Sequence, residues 1–393
     1  MTERQTRRAT DVVVLGAGPA GLVLGNLLQD SGIDCVILER AERAHIQTRA
    51  RAGFLAANTV RILERHGLAE GLHRHGQAHS TCEFRTVDGR FRLDYSGLGR
   101  GERHTVHPQQ QLVTDLLTRF LAAGGRVDFT TEAVAVLDTD TDRPSVTVRE
   151  ADGRTGRWRA RYVAGCDGRH GAAPIAAARP VRHHCDHGVT WLDCRSRRRP
   201  VWTPSGTRCT SEVSPGHART SEITRYYVQC GARHPGRCLV RGPDLGRAGL
   251  RMWGRSTARC TAPRRAASRR RPGVRRARTL RHGSLFWSAT PPASSALPRR
   301  RAPTSRSWRG RSRRALVDDL VHGDSGGARR LLRAVPGVHL ACPGVLALDD
   351  PVHGPSGSDG PSLFHKSLRR SRIASLRTSR SHQDWFAEHY VGV

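Results

Sequence analysis

Short apolar runs and glycine-rich breaks alternate through the first forty residues. Val12 to Leu15 is an apolar, β-branched run with the length of a buried parallel strand. Apolar residues at helical spacing from about Pro19 to Gln29 predict a helix, and the run from Asp34 to Leu38 predicts a second strand. Strand, helix and strand in this order predict a βαβ unit with two parallel strands.

Regular patterns continue to about Gly171. The stretch from Thr81 to Leu93 alternates like a hairpin with a turn at Asp88-Gly89, and Gln109 to Ala123 is amphipathic and ends at two glycines. Three more strands are predicted, at Val127–Asp138, Ser145–Glu150 and Arg159–Ala164. This part of the chain has the pattern of an ordinary folded α/β protein.

The pattern fades after Gly171, where Arg, Pro, Ser and Thr dominate. Two stretches there look ordinary, Thr220 to Gln229 and Asp384 to Val393. The formal net charge is +32, and residues 1–170 carry 24 Arg against 21 acids, whereas residues 171–393 carry 42 basic residues against 13 acids. The second part is therefore typical either of a nucleic-acid-binding tail or of a sequence that was not selected as protein.

Cysteine usage gives no indication of a metal site. The ten cysteines include no Cys-x-x-Cys pair, which favours reduced thiols in a cytoplasm. His183, His184, Cys185 and His187 imitate a metal cluster, but they lie in the irregular part, and we expect no bound metal. No apolar run reaches the length of a membrane span, and the run at Val12 is a strand rather than a signal peptide.

The chemistry of the first βαβ unit follows from its glycines. Gly16, Gly18 and Gly21 have G-x-G-x-x-G spacing between the first strand and the helix, and Glu39 ends the second strand. Gly16 makes the tight turn, Gly18 lets a pyrophosphate approach the backbone, and Gly21 lets helix and strand pack closely. A carboxylate at the position of Glu39 accepts hydrogen bonds from a ribose, so the unit predicts dinucleotide binding.

Further motifs occur in one order along the chain. Glu39-Arg40 is followed by Arg49-Ala-Arg-Ala-Gly53, by a helix that opens at Gln109, and by Gly165-Cys-Asp-Gly-Arg-His-Gly171. In this order they resemble the class A flavoprotein aromatic hydroxylases, and among them the enzymes that act on 4-hydroxybenzoate. The resemblance covers residues 1–171 and only patches afterwards.

This resemblance implies an FAD site and the residues that would form it. Residues 49–53 would lie along the flavin, Asp167 would bind ribitol hydroxyls, and His170 would contact the nicotinamide nucleotide. From the residues alone, a solvated basic turn and a plain Asp-Gly turn remain alternative interpretations. The implied cofactor residues are Gly16, Gly18, Ala20, Gly21, Glu39, Arg40, Arg49, Arg51, Gly53, Gln109, Asp167 and His170.

The resemblance also implies substrate and catalytic residues. Arg219 would pair with an aromatic carboxylate, because a guanidinium offers a planar fork, and Tyr227 would bond the same group. Tyr390 and His79 would form a relay that removes the phenol proton, which makes the ring electron-rich. A strand with an exposed Arg and a half-buried Tyr, a packed Tyr390 and a surface His79 are the alternatives.

The implied fold is α/β. It comprises a Rossmann-like FAD-binding domain, a sheet-bearing substrate domain and a helical C-terminal part. The expected division is an FAD-binding domain over residues 1–174, a substrate domain over 175–280, and a return to the FAD domain with the helical part over 281–393.

The implied reaction is hydroxylation of 4-hydroxybenzoate to 3,4-dihydroxybenzoate with NADPH or NADH and O₂. The partners are thus small molecules, and we expect neither a membrane nor a nucleic-acid partner, while a homodimer is left open. Two alternatives remain: another class A aromatic hydroxylase, or a non-catalytic product whose basic tail binds nucleic acid.

The reductant depends on the segment after Glu39, which in this family helps to distinguish NADPH from NADH. Arg40 and Arg43 suit a 2′-phosphate, but Glu42 between them would repel it, which favours NADH. If Glu42 instead pairs with Arg43 in solvent, NADPH stays preferred.

One missing motif suggests a damaged reading frame. The family carries a second FAD motif, Gly-Asp-Ala-Ala-His, after a His-Gly-x-Leu-Phe strand, and here His282-Gly-Ser-Leu-Phe286 is followed by Trp287-Ser-Ala-Thr-Pro-Pro-Ala-Ser-Ser295. Written in GC-rich codons, Leu-Val-Gly-Asp-Ala-Ala-Arg-Ile-Val read from its second base translates as that same sequence. We therefore expect out-of-frame segments after residue 171.

Overall fold

A computed structural model of the 393-residue chain describes thirteen ranges. They are residues 7–49, 53–86, 89–168, 171–176, 183–186, 189–196, 205–208, 215–219, 224–231, 273–276, 281–282, 284–287 and 363–391.

Strands and helices are interspersed in the first half of the chain. The helices are α1 (Pro19–Gln29), α2 (Arg43–Thr48), α3 (Ala57–Arg65), α4 (Glu70–His75), α5 (Gln109–Ala122), α6 (Ala173–Ala176), α7 (Leu363–Thr378) and α8 (Arg380–Val391), with one 3₁₀ helix at Tyr95–Gly97. The strands are β1 (Arg7–Leu15), β2 (Cys35–Leu38), β3 (Phe54–Leu55), β4 (Gln77–His79), β5 (Thr81–Thr86), β6 (Gly89–Asp94), β7 (His104–Val106), β8 (Arg126–Asp128), β9 (Glu132–Leu137), β10 (Ser145–Arg149), β11 (Thr155–Gly165), β12 (His183–Asp186), β13 (Val189–Ser196), β14 (Ser205–Arg208), β15 (Pro215–Arg219), β16 (Thr224–Gly231), β17 (Gly273–Arg276), β18 (Arg281–His282) and β19 (Leu285–Trp287).

An eight-stranded sheet forms the centre of the first half. Its main path runs β18-β19-β11-β1-β2-β8, and β1 lies parallel to both β11 and β2. The strands β9 and β10 extend antiparallel from β11. Helices α1 and α5 cover one face of the sheet with a buried apolar cluster. A second buried cluster, around Trp158, is formed mainly by the strand residues that alternate with those of the first cluster. This is the predicted α/β, Rossmann-like arrangement.

Helix α1 sits unusually close to its neighbours. A Cβ on Gly25 would lie 2.8 Å from Cδ1 of Ile37 and 3.1 Å from the Phe120 ring, so a side chain there would push the helix off the sheet. The fully buried amide of Asn26 donates to the carbonyls of Leu22 (2.8 Å) and Leu116 (3.0 Å). These contacts fix α1 against α5 and thereby fix the turn before α1.

A second large sheet has six strands in the order β13-β16-β15-β14-β5-β6. Two of its strands, β5 and β6, come from the first half of the chain and pair with each other, and β5 also pairs with β14. A third apolar cluster joins this hairpin to the C-terminal helices α7 and α8 through Phe84, Leu93, Leu376 and Phe386. The sheet-bearing part and the helical C-terminal part are thus both present, as predicted.

Most predicted elements of the first half are confirmed, with one clear error. Helix α1 has the predicted bounds and α5 differs by one residue, but the single strand predicted over Val127–Asp138 is two strands, β8 and β9. They pair with different partners, β2 and β10, and Thr130 between them has a φ of 50°. Helix α7 was not predicted, because its sequence lies in the arginine-rich part.

Among the helices that the structure describes, none combines enough length with enough apolar character to cross a membrane.

Candidate functional site

Three parallel strands end together and form the edge at which the predicted site lies. The N–H of Gly16, after β1, donates to the carbonyl of Leu38 in β2 (2.7 Å), and the N–H of Cys166, after β11, donates to that of Leu15 (2.8 Å). Ligands of open α/β sheets bind in the crevice beyond such carboxyl ends. The residues that follow β1, β2 and β11 are therefore the candidate site.

The glycines of the first turn differ in what excludes a side chain. Gly16 has a φ of +94°, and its Cβ would lie 2.8 Å from the carbonyl oxygen of Cys166. A Cβ on Gly21 would overlap the carbonyl oxygen of Gly16, whereas a Cβ on Gly18 would meet no atom within 4 Å. Protein packing thus explains Gly16 and Gly21, and Gly18 borders open space at the start of α1, where Ala20 is buried.

Glu39 follows β2, on one side of the turn after β1. One carboxylate oxygen accepts the N–H of Ala17 at 2.8 Å, and the other accepts the N–H of Ala41 at 2.9 Å. The loop after β8 holds the same segment, because the N–H of Thr131 donates to the carbonyl of Glu39 at 2.9 Å. The carboxylate is fixed beside the turn, and each oxygen retains a lone pair for a further donor.

Asp167 follows β11, on the other side of the turn after β1. Burial raises its pKa to about 6, against the lowering effects of the Ala173 N–H and the Arg40 charge. One oxygen accepts the N–H of Ala173 at 3.1 Å, and a Cβ on Gly171 would overlap the carboxyl group. The other oxygen, Oδ1, is buried and has no hydrogen-bond partner in the described part of the chain. A hydroxyl donor from a ligand would satisfy it.

The segment at Gly53 is locked to the start of α5. The N–H of His107 donates to the carbonyl of Gly53 at 2.7 Å, and a Cβ on Gly53 would lie 2.5 Å from the carbonyl oxygen of His107. Gln109 is the first residue of α5 and is half-buried. Two stretches that the sequence analysis assigned to the cofactor, at Gly53 and at Gln109, are therefore held side by side.

The arginines of the predicted site are described only in part. Arg40 is exposed, and its charge acts on Asp167. Arg49 is exposed after α2, where its N–H donates to the carbonyl of His45 at 2.9 Å. The predictions for Arg51 and His170 fall outside the described residues.

The predicted substrate residues lie on neighbouring strands of the six-stranded sheet. Arg219 ends β15 and pairs with Thr224, while Tyr227 in β16 pairs with Gly216. Both therefore belong to one hairpin, and only their backbone positions are described.

The predicted relay residues lie on β4 and α8. His79 ends β4, pairs with His104 of β7, and is 4 % exposed, so it is not a surface residue. Its carbonyl accepts the hydroxyl of Tyr95 at 2.6 Å. Tyr390 lies near the end of α8, which packs against the 3₁₀ helix that begins at Tyr95.

Sequence reasoning missed two buried histidines beside this site, His104 and His107. Burial lowers the pKa of His107 to about 4, and the nearby charge of His75 acts in the same direction. Nε2 of His107 lies 3.9 Å from a carboxylate oxygen of Asp115, whose pKa burial raises. Two histidines in a strand pattern just before an amphipathic helix were the available signal. Within the described residues no cluster of potential metal ligands occurs.

Comparison with known protein families identifies the family to which the chain with this crevice belongs. The FAD-binding domain family matches residues 9–235, which is more than half of the chain. The chain belongs to this FAD-binding family. The matched range includes the glycine turn, Glu39, Gly53 and Asp167, so the whole candidate crevice lies inside it.

Several curated relatives of this FAD-binding chain are hydroxylases or monooxygenases. It is 36 % identical to p-hydroxybenzoate hydroxylase of Acinetobacter baylyi over 162 residues, 41 % of this chain and 40 % of that protein. It is 31 % identical to anhydrotetracycline monooxygenase of Streptomyces rimosus over 164 residues, 40 % of this chain and 30 % of that protein. The matched part spans less than half the length of these relatives.

Solved structures share the fold. The p-nitrophenol 4-monooxygenase of Pseudomonas putida superimposes with a TM-score of 0.75 at 13 % identity, covering 97 % of this chain and 99 % of that one. Anhydrotetracycline hydroxylase of Streptomyces rimosus gives a TM-score of 0.69 at 19 % identity, covering 98 % and 76 %. At these identities the likeness establishes the flavoprotein hydroxylase fold and nothing about substrate.

Proposed function

We propose that this chain is an FAD-dependent aromatic hydroxylase that converts 4-hydroxybenzoate to 3,4-dihydroxybenzoate with NADPH or NADH and O₂. The observation that carries the proposal is the crevice between Glu39 and Asp167, in a chain that is 36 % identical to a p-hydroxybenzoate hydroxylase over 162 residues. The crevice combines open space at Gly18 with a buried carboxylate oxygen of Asp167 that has no hydrogen-bond partner among the described residues. Both features fit a bound dinucleotide with free hydroxyl groups.

Different residues of the crevice would bind different parts of FAD. The open turn at Gly18 and the first N–H groups of α1, near Ala20 and Gly21, would hold the pyrophosphate. Glu39 would hold the adenosine ribose, with Arg40, Arg49 and Arg51 supplying positive charge. Asp167 would accept from the ribitol chain through its unpaired oxygen, Gly53 and Gln109 would line the ring system, and His170 would contact the nicotinamide nucleotide.

The protein's part in the reaction is orientation and proton removal. Bound FAD would supply the redox chemistry, in which NAD(P)H gives up a hydride, one oxygen atom of O₂ enters the ring and the other leaves as water. Arg219 and Tyr227 would bind the carboxylate of the substrate and so fix the ring. His79 and Tyr390 would remove the phenol proton, which raises the electron density of the carbon that is hydroxylated.

We choose 4-hydroxybenzoate because its carboxylate and its phenol would have separate partners in the protein. Arg219 and Tyr227 would bind the carboxylate, and His79 and Tyr390 would take the phenol proton. A different aromatic substrate is the runner-up, because other relatives are named as hydroxylases of 3-(3-hydroxy-phenyl)propionate and as monooxygenases of anhydrotetracycline. Purified chain should carry yellow FAD and should oxidise NAD(P)H faster when 4-hydroxybenzoate is added, with 3,4-dihydroxybenzoate as the product on chromatography. Stimulation by another phenol instead would favour the runner-up.

The domain division stays part of the proposal. Residues 1–174 would form the FAD domain, 175–280 the substrate domain, and 281–393 the return and the helical part. The parallel pairing of β19 with β11 supports a return of the chain to the first sheet. A cytoplasmic location with reduced thiols and a possible second subunit complete the proposal.

A damaged reading frame is the second element of the proposal. Besides residues 287–295, the stretch from Thr304 to Arg313 shifts in the same direction. With one choice of GC-rich codons, moving its frame back one base gives Asp-Val-Glu-Val-Leu-Ala-Arg-Ala-Leu-Ala, whose apolar residues recur at helical spacing. A shift between Phe286 and Trp287 explains both stretches, and further shifts after residue 171 would explain the arginine-rich stretches that precede Phe286, such as residues 195–200. Sequencing the coding region should find an insertion or deletion there, and an intact frame through residue 287 would remove the hypothesis.

A different class of function follows if the frame damage abolishes catalysis. The 42 basic residues against 13 acids after residue 170 would then act as a polycationic tail that binds nucleic acid. Colourless protein that is retained on DNA and released steeply by salt would indicate this class.

A further inference from the structure

The 3₁₀ helix Tyr95–Gly97 holds the end of β4 through two hydrogen bonds. The hydroxyl of Tyr95 donates to the carbonyl of His79 at 2.6 Å, and the N–H of Tyr95 donates to the carbonyl of Ser80 at 2.9 Å. Tyr95 is fully buried, and its ring meets that of His104 edge-on with centroids 5.8 Å apart. Since His104 is the cross-strand partner of His79, both strands at this point are fixed by one side chain.

The same short element holds α8 from its other side. The N–H of Gly99 donates to a carboxylate oxygen of Asp384 at 2.8 Å, and Arg380 donates both to Asp384 at 2.9 Å and to the carbonyl of Gly97 at 3.4 Å. Helix α8 also carries Tyr390, further towards its end. The residues Tyr95 to Gly99 therefore connect the strand of His79 with the helix of Tyr390.

Apolar packing makes this connection stiff. Tyr95 and Leu98 are buried in one cluster with Phe386 and Ala387 of α8. The rings of Phe84 and Phe386 meet edge-on at 5.7 Å in the same cluster. A close-packed interior of this kind transmits a displacement of one member to its neighbours.

We propose that Tyr95 is a positioning residue for removal of the substrate's phenol proton. It fixes the separation between His79 and α8, and it does so without touching substrate or cofactor. Proton transfer needs heavy atoms within hydrogen-bond distance, so a small shift of the end of β4 interrupts it. This inference rests on the proposed function, in which His79 and Tyr390 carry the proton.

Ionisation of bound 4-hydroxybenzoate tests the proposal on the full chain. Ultraviolet difference spectra distinguish the bound phenol from the phenolate at each pH, independently of turnover. We expect the ionisation midpoint of the bound ligand to lie below that of free 4-hydroxybenzoate in wild type. We expect it to move up in His79→Asn and also in Tyr95→Phe, which loses only the hydroxyl. Tyr162→Phe makes the same change in β11 of the other sheet and should leave the midpoint unchanged.

The outcomes separate the two levels of the proposal. If wild type and His79→Asn both ionise the ligand at the free-ligand midpoint, the relay itself is wrong. If His79→Asn shifts the midpoint and Tyr95→Phe does not, the relay stands and the role of Tyr95 is refuted, since a packing role alone changes stability and not this profile.

A second variant, in α8, tests the same connection between β4 and α8. Asp384→Ala removes the acceptor for the Gly99 N–H at a partly exposed position, and circular dichroism would verify that it folds. We expect a midpoint shift in the same direction, and in the double variant with Tyr95→Phe a shift no larger than the larger single one. Fully additive shifts would mean two independent effects and would contradict a single connection.

Discussion

The carboxylate of Glu39 accepts the backbone N–H of Ala17 across the crevice, at 2.8 Å. The end of β2 is thereby tied to the glycine turn after β1, and the second carboxylate oxygen holds Ala41. Glu39 thus has a structural task in the protein alone, besides the ribose contact that we propose for it.

Replacing Glu39 by Gln should impair both tasks together, the backbone contacts of the protein and the binding of flavin. A glutamine has one acceptor oxygen, so its NH₂ group would face one of the two N–H donors and leave it unsatisfied, at a cost of about 1–3 kcal/mol. We expect a lower urea midpoint in the flavin-free protein and loss of bound flavin. Glu42→Gln, the same charge change at an exposed neighbour, is the control and should alter neither. An unchanged midpoint in Glu39→Gln would show that the amide bonds contribute nothing.

Gly18 and Gly21 should fail in different ways. Gly18→Val adds a Cβ that meets no atom of the described residues within 4 Å, so we expect normal unfolding but no retained FAD. Gly21→Ala places a methyl group against the Gly16 carbonyl, so we expect a clearly less stable protein. Flavin absorbance and urea unfolding of both variants make the comparison. Stoichiometric FAD in Gly18→Val would refute the assignment of the turn.

Asp167 should make the flavin-free protein sensitive to pH. Its pKa in the folded chain is raised to about 6, so the folded state binds more protons than the unfolded state between about pH 4 and 6. The contribution of this group to stability is therefore present at low pH and is lost as the pH rises through 6.

Asp167→Asn removes that dependence. At pH 7.5 we expect the flavin-free variant to be more stable than wild type, by about 3 kcal/mol at most, with the difference vanishing near pH 4. The same variant should bind FAD more weakly, because the neutral amide replaces the charged acceptor. Urea midpoints at several pH values give the first result and flavin titration the second, and equal stability of the two proteins at pH 7.5 would contradict the buried charge.

Arg219 should govern substrate affinity and not cofactor binding. Arg219→Ala would leave the carboxylate of 4-hydroxybenzoate without its bidentate partner, and we expect affinity to fall by roughly tenfold to a thousandfold. Arg219→Lys keeps the charge without the fork and should recover only part of it. Perturbation of the flavin spectrum on titration measures both. Unchanged affinity would mean that β15 does not line the substrate site.

Glu42 should influence the choice of nucleotide. It precedes α2, is exposed, and makes no ion pair among the described residues, so its charge is free to repel a 2′-phosphate. We expect NADH to be used at least as well as NADPH, and Glu42→Gln to shift the ratio of kcat/KM towards NADPH. A wild type that already prefers NADPH roughly tenfold or more, with no change in the variant, would refute this interpretation.

How far the sequence predicts this structure depends on whether a pattern is local. The helices α1 and α5 follow from apolar spacing and glycine ends, and the turn at Gly16 follows from its motif. The break at Thr130 does not, because it arises from β8 and β9 pairing with different strands. The position of the His107 backbone likewise involves a distant residue, because its N–H donates to the carbonyl of Gly53.

The site shows the same limit. The acids Glu39 and Asp167 could be assigned from motifs, but the second task of Glu39 and the unpaired oxygen of Asp167 appear only when β1, β2 and β11 meet. Tyr95 carries no motif, and its importance lies in the positions of His79 and α8.

The contact between Gly99 and Asp384 joins residues 285 positions apart. During synthesis the hairpin β5–β6 leaves the ribosome long before α8 exists, so Phe84 and Leu98 lack their apolar partners in α8 until residues 380–391 have been made. Such late closure slows folding and exposes the nascent chain to aggregation. Newly made protein should therefore depend on chaperones, and pulse-labelled chains should be protease-sensitive in this region until α8 has been translated.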